Sequence, residues 1–531
     1  MSRPLLLLPL IMLLALSCAC SKKPRVENVL LISLDSTRAD YIDSGFGSRA
    51  WTPELRRFAS SSWVFANAYS PIPQTLPAHL AVFCGRLPHE LGVFGNEYVY
   101  DGRYPLLQEV LQRRGWQTAG VVSLGTVAAA TGIARGFDRY RDRMNDASHF
   151  YVPAEEVTDA AISQLAGFRK KKFFLFVHYS DPHSPYAPPQ VQAPFTIELD
   201  GRPQLTFNAY TGIIARLRLQ LTPGTHRLSF RTEAQAGDFE SFIIRRLQVG
   251  KGMNITLENM EYSAEYYGGS YILRQPRGSV TIHARRAGEI SLFQVIPILT
   301  RSAVLENYRG EVEYMDHHVG RLLNALKNSP AAERTAMVLF ADHGEGLGER
   351  DGFIGHVRFL NRQFIRVPLF VRIPGEAPLR IDEPVSLQGL ASLLCDVLGI
   401  EGHEFPRSGM ARSELRRGRC GREPVYSFTF APAAGNDLCS VIRWPFQMIV
   451  SRNPGNGLET REYYDLRLAA ERKLDSLPTG LVRKQAADLW RQLEGSRPLW
   501  QAAFALRRQP LSMAGRSQIE KLRTLGYIRF P

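Results

Sequence analysis

Short runs of branched and aromatic apolar residues recur along the chain: VLLISL from Val29, TAGVVS from Thr118, FFLFVHYS from Phe173, TAMVLF from Thr335 and VPLFVRIP from Val367. Between them lie TPELRRFASS, LLQEVLQRRG and VGRLLNALKNS, whose apolar positions return every three or four residues. Unbroken apolar runs alternating with amphipathic helices predict an α/β fold, with a mostly parallel sheet sandwiched by helices. In such sheets ligands gather at the carboxyl ends of the strands. Asp35, the stretch His178 to His183, and Asp342 with His343 all fall at or just beyond such ends, so they are expected to meet in one crevice although they are far apart in sequence.

From about Val191 to Leu299 the pattern changes. FTIELDG, ARLRLQLTPGTHRLSFRT, SFIIRRLQVGKG, NITLENM and GSVTIHA alternate apolar and polar residues with turn signals between them, which predicts an inserted antiparallel β-sandwich. The helical period resumes at YRGEVEYMDHHVGRLLNAL. After GLASLLCDVLGI, the segments EPVYSFTF, SVIRWPFQMIVS and REYYDLR predict a small C-terminal antiparallel sheet, followed by helical AADLWRQLEG and QIEKLRTLGY. The expected organisation is therefore a leader over 1–23, an α/β core in two parts (24–190 and 301–420), the insertion over 191–300 and a C-terminal α+β subdomain over 421–531.

A chain of 531 residues can bury a large core, and a formal net charge of +14 favours acidic surroundings such as anionic lipid or sulfated or phosphorylated polymers. No compact Lys/Arg block or nucleic-acid motif is present, so nucleic acid is not an expected partner. The start, MSRPLLLLPLIMLLALSCAC, reads as an export signal: Arg3, a short apolar run and small residues before Cys18. Ala-Leu-Ser before Cys18 resembles the lipobox of bacterial lipoproteins, with Cys20 the second choice, and implies an extracytoplasmic protein held at a membrane by a lipid anchor, periplasmic or attached to the outer membrane. Cys84 and Cys395 lie in apolar helical patterns and are expected in the core. Cys420 and Cys439 stand in polar or turn-rich sequence, and their pairing is left open.

Asp35, Asp342 and His343 form a hard-oxygen and imidazole set suited to a divalent ion, either Mn²⁺ or Zn²⁺. In PQTLPAH, Thr75 stands where a new helix is expected to begin. A hydroxyl there usually caps free amides. Beside a metal the same hydroxyl would have a lowered pKa and act as a nucleophile, with the helix start offering a positive dipole end to an anion.

With these residues in view, the chain resembles the sulfatases of the alkaline phosphatase superfamily. NVLLISLDSTRADY, TPELRRFASSSWVFANAYSPIPQTLPAHLAVFCGRLPHELGV, HYSDPHSPYAPP, YRGEVEYMDHHVGRLL, FADHGEGLGERDGFIGH and the closing LRTLGY carry the resemblance, in the family's order. It implies an alkaline-phosphatase-like core and a hydrolase with one divalent metal site (Mn, Zn or Ca), a second site being left open. It also implies Asp35, Asp342 and His343 as ligands, with Thr75 both ligand and nucleophile. His79 stands where the family has a cation near the nucleophile, while Asn96, His183 and His356 match positions that contact the transferred group or the leaving oxygen. His178, His317 and His318 are left as structural or surface residues.

The departures bear on the reaction. Where formylglycine-dependent sulfatases have Cys or Ser in Cys-X-Pro-Ser-Arg, this chain has Thr75-Leu76-Pro77-Ala78-His79, and Thr cannot become formylglycine. The usual Asp-Asp and Asp-Asn pairs are Asp35-Ser36 and Asp342-His343, and VVSLGTV replaces the Lys-X-His motif. This set is closer to the phosphodiesterase and phosphotransferase branches. The expected function is a metal-dependent hydrolase of sulfate or phosphate esters, phosphate mono- or diesters preferred, acting on a small molecule, glycan or lipid. The alternatives are a catalytically decayed glycan-binding lipoprotein and a phosphoryl-group transferase on lipid or glycan.

Overall fold

A computed structural model describes residues 25–42, 51–142, 151–168, 171–235, 237–264, 269–418, 423–430, 436–453, 456, 458–467 and 472–474. The leader with Cys18 and Cys20, Cys420, and the two helical segments expected after residue 474 lie outside them. Among the described residues no helix is long and apolar enough to cross a membrane.

An eight-stranded sheet forms the centre, in the order Leu379–Ile381, Trp63–Phe65, Leu369–Arg372, Thr335–Phe340, Asn28–Leu34, Phe173–Tyr179, Gln117–Val122, Arg139–Arg141. The five strands from Thr335–Phe340 to Arg139–Arg141 run parallel. Leu369–Arg372 runs against both of its neighbours, so the expected parallel sheet carries one reversed strand near its edge. Every side chain of Asn28–Leu34, Phe173–Tyr179 and Thr335–Phe340 is buried, because helices cover both faces. That accounts for unbroken apolar runs in place of alternation.

The long helix Arg301–Lys327 packs on this sheet, and Thr300 caps it by accepting the Ala303 amide. It also secures the helix Pro53–Ala59: the Asp316 carboxylate accepts the amides of Glu54 and Leu55 at 3.0 and 2.8 Å. A carboxylate from another helix thus does the work of a local cap, and it places negative charge at a positive dipole end.

Residues 194–299 form two antiparallel sheets. One orders Met253–Glu258, Arg277–Ala284, Gly224–Thr232, Pro194–Leu199 and Arg202–Asn208; the other centres on Gly288–Leu299, flanked by Phe239–Arg245 and Ile213–Leu221. Phe195, Ile197, Phe230, Phe242, Ile282 and Leu292 belong to a core of its own between them. Alternate residues point inward, as the period of two requires.

The C-terminal sheet runs in sequence order from Val425–Phe430 to Arg472–Lys473. One face packs Phe428, Phe430 and Met448 against Ile72, Ala78 and Phe94; the other packs Ile442, Ile449 and Tyr464 against Leu360, Phe364 and Ile365. Cys439 is fully buried in the strand Asp437–Arg443. The polar surroundings expected for it are corrected: its neighbours in sequence alternate between two covered faces. Cys84 and Cys395 are buried as expected.

Candidate active site

The crevice opens at the carboxyl ends of the central strands. Asp35 follows Asn28–Leu34, His178 is the penultimate residue of Phe173–Tyr179, and Asp342 with His343 follows Thr335–Phe340. Parallel register sets Ser33 beside both His178 and Phe340, so chain direction alone brings the three strand ends together. Ser36, at φ 56°, turns its amide onto Asp342 Oδ1 at 3.2 Å, while its hydroxyl donates to Asp35 Oδ1 at 2.7 Å.

Asp35, Asp342 and His343 each offer a ligand atom within 4.8 Å of the others, and all three are fully buried. The His343 Nδ1–H donates to Gly344 O at 2.9 Å, which turns the Nε2 lone pair inward to 3.5 Å from Asp342 Oδ2 and 4.0 Å from Asp35 Oδ1. Asp342 Oδ2 is buried without a hydrogen-bond partner. Two carboxylates and an imidazole lone pair that converge out of water repel one another, and a divalent cation is the group that reconciles them. The donor set fits such an ion.

The protonation pattern follows from the same crowding. Burial acts to raise the Asp35 carboxyl, but the hydrogen bond from His178 Nε2 at 3.1 Å and the imidazoles of His343, His178 and His183 hold it well below its ordinary value. Burial and the charge on Asp35 push Asp342 well above. Burial drives His343 and His79 down to about 3 and His356 to about 4, and it also lowers His183.

Thr75 is the first residue of the helix Thr75–Cys84, and its N-cap is Gln74. The capping role weighed for Thr75 is thereby corrected: its hydroxyl faces His343 Nε2 at 3.4 Å. Asn96 supplies one cap from outside, its Oδ1 accepting the Leu76 amide at 2.9 Å. His79, one turn along, donates from Nδ1 to Thr75 O at 2.7 Å and accepts from Ser33 Oγ at Nε2, 2.8 Å. A fully buried ring stands where the family has a cation: burial and the neighbouring His178 drive its pKa down, although Asp342 Oδ2 lies 3.6 Å from Nδ1. His183 and His356 lie beside the cluster: their rings are 5.3 Å apart, and His356 is 4.3 Å from His343.

Sequence reasoning left two residues aside. His178, left as a structural or surface residue, is a buried structural partner of Asp35; its signal is a lone polar residue at the end of an otherwise apolar run. Glu345, in the Gly-rich ADHGEG turn, is fully buried with Oε2 3.3 Å from His356 Nδ1, and burial pushes it up to about 8. His317 is exposed and His318 packs on Tyr314, as expected.

The sulfatase family model matches residues 27–400. The chain belongs to the sulfatase family. It is 24% identical over 395 residues to an N-acetylglucosamine-6-O-sulfatase of Bacteroides thetaiotaomicron, covering 70% of this chain and 67% of that protein. It is 23% identical over 384 residues to a choline-sulfatase of Rhizobium meliloti, covering 71% and 68%. In fold it is similar to a sulfatase structure from Bacteroides thetaiotaomicron (TM-score 0.58, 16% identity, 94% and 96% covered) and to a phosphonate monoester hydrolase from Silicibacter pomeroyi (TM-score 0.55, 17% identity, 89% and 94% covered). As a sulfatase-family chain it is a hydrolase with the superfamily's α/β core.

Proposed function

We propose that this sulfatase-family chain is a metal-dependent ester hydrolase that uses Thr75 as its nucleophile and prefers phosphate mono- or diesters to sulfates. The observation that carries this reading is the Thr75 hydroxyl, which is buried at a helix start, is not used as the cap, and faces Nε2 of His343, the imidazole that converges with Asp35 and Asp342. Those three residues would hold the ion with Thr75 beside them. A divalent ion there supplies positive charge that lowers the hydroxyl pKa and steadies the anionic ester.

The chain's own residues do the rest. Thr75 Oγ approaches the phosphorus at the positive end of the helix dipole; the Leu76 and Ala78 amides are taken by Asn96 Oδ1 and Gln74 O and Pro77 has none, so the helix contributes its field rather than hydrogen bonds. Asn96, anchored through Oδ1 on Leu76, keeps its amide N–H groups for an oxygen of the transferred group. His183 and His356, neutral in the buried crevice, take up a proton beside an arriving anion and pass it to the leaving oxygen. Water then cleaves the phosphothreonine. A threonyl sulfate would lack the second hydroxyl through which a formylglycine hydrate expels sulfate, and this favours phosphorus as the reacting centre.

The named relatives act on a sulfated sugar and on choline sulfate, and one structural neighbour on phosphonate monoesters. A sulfated or phosphorylated sugar or lipid is the matching substrate class here, met outside the cytoplasm by a protein tethered at Cys18. Turnover of aryl phosphate, bis-aryl phosphodiester and aryl sulfate by metal-loaded protein tests the reading, together with mass spectrometry of the Thr75 peptide after a rapid quench. A phosphoryl increment on Thr75 and faster phosphate turnover are expected. Faster cleavage of aryl sulfate overturns the preference, and an unmodified Thr75 in a protein that turns over overturns the nucleophile.

A further inference from the structure

A second concavity lies at the opposite end of the helix that starts with Thr75. That helix stops at Gly85, whose φ of 67° closes it, and Pro406 Cδ lies 3.1 Å from where a Cβ on Gly85 would stand. Ten residues of helix span about 15 Å. The Pro406 loop and the end of the helix Leu390–Leu398 therefore border a space well separated from Thr75. It has a volume of about 580 Å³, within the range of small-molecule sites.

Its lining is of mixed character. Ile400 and the buried Phe405 make an apolar wall. Arg412 is spoken for: its Nε donates to Glu376 at 3.2 Å and its backbone amide to Asp396 at 3.1 Å. Arg407 and Arg416 are not held in this way. Their nearest carboxylate oxygens, on Asp396 and Glu376, are each 3.8 Å away, too long for hydrogen bonds, and their side chains are 63% and 51% exposed. His403 stands behind them, its side chain only 6% exposed and its Nε2 3.7 Å from Asp396 Oδ1.

We infer that this cavity binds a sugar-sized ligand bearing a phosphate or sulfate group. The oxyanion sits between the guanidinium groups of Arg407 and Arg416, which suit planar oxyanions. Sugar hydroxyls donate to Asp396 and Glu401, and the C–H face of the ring lies on Ile400 and Phe405. A bare anion fits less well, because Asp396 and Glu401 line the same space and repel it. The inference does not use the reaction assigned to Thr75: a chain that cleaves no ester but binds here leaves it standing.

The test uses full-length Thr75→Ala protein, so that no probe is turned over, with D-glucose 6-phosphate, D-glucose 6-sulfate, D-glucose and inorganic phosphate as separate probes. Hydrogen exchange is expected to show protection over residues 399–416 with the two sugar esters and not with glucose or phosphate alone. An Arg407→Gln/Arg416→Gln double variant, changing exposed side chains, should fold normally by circular dichroism and bind the esters about tenfold more weakly. In the Thr75 background the same double variant should cleave a small aryl ester as the parent does. Protection confined to the Thr75 crevice, equal binding of inorganic phosphate, or undiminished binding by the double variant overturns the proposal.

Discussion

In the inserted sandwich, Arg227 pairs with Glu258 and Arg274 with Glu261 at side chains more than half exposed, whereas Asp35, Asp342, His79, His178 and His343 in the crevice are wholly shut away from water. The sandwich keeps its charges outside an apolar centre, the arrangement that stability favours. The crevice does the reverse and carries carboxyls driven up by burial beside imidazoles driven down. Structure that stability alone would not select marks where chemistry is done.

The sharpest way to break this contrast is Asp342→Asn, which keeps the shape and removes an anionic ligand. Metal content by atomic emission should fall to background, and turnover of aryl phosphate should drop by about a thousandfold or more. A variant that keeps both would place the metal elsewhere. Thr75→Ala should cost roughly a hundredfold or more in kcat while the ion stays bound through Asp35, Asp342 and His343. Near-normal turnover on every ester would leave Thr75 a bystander.

His178→Ala tests whether the residue behind Asp35 orients it: metal affinity should weaken by roughly tenfold to a hundredfold, with turnover recovering at high metal concentration. No recovery would mean that His178 touches substrate. Removing the ion should also change how stability depends on pH. Burial raises Glu345 from 4.5 to about 8 and Asp181 to about 7, and burial together with Asp35 raises Asp342. A carboxyl raised in the folded state stabilises it below the unfolded pKa, and that contribution is lost as pH climbs through the folded value. The depressed histidines act the other way below their ordinary value of 6.5, so the carboxyl effect shows above it: chelated protein should melt at progressively lower temperature from about pH 7 to 8, and saturating Mn²⁺ or Zn²⁺ should flatten the trend. Rising stability of the chelated protein over that range would refute the buried-carboxyl account. Smallest of all, Arg227→Ala in the sandwich should change stability by about 1 kcal/mol or less, read by denaturant melts, because an exposed pair gains little.

Much of the core was legible because periodicity is a direct record of burial. Strands covered on both faces read as unbroken apolar runs, and Asp35 and Asp342 stood out as the carboxylates that end them. The sandwich was legible for the complementary reason, with one covered face per strand. What stayed hidden depended on partners distant in sequence. The strand end places His178 in the crevice, but in a run where every position is buried the period does not show that it hydrogen-bonds Asp35. Glu345 sits in a glycine-rich turn that reads as surface. Asp316 looks like one acid among several on an amphipathic helix, and only packing shows it holding the start of Pro53–Ala59. The neutral state of His79 could not be read at all, since it depends on the exclusion of water.

The side chain at the first residue of Thr75–Cys84 is a threonine, and threonine is complete as the ribosome delivers it. A formylglycine has to be made from Cys or Ser after translation, so a crevice built on that residue is only as good as the host that matured it. Here every atom that faces His343 is genetically encoded. The folded protein obtained from a cell without the converting enzyme should be identical at this position to that from a cell with it, and expression host ceases to be a variable in comparing preparations.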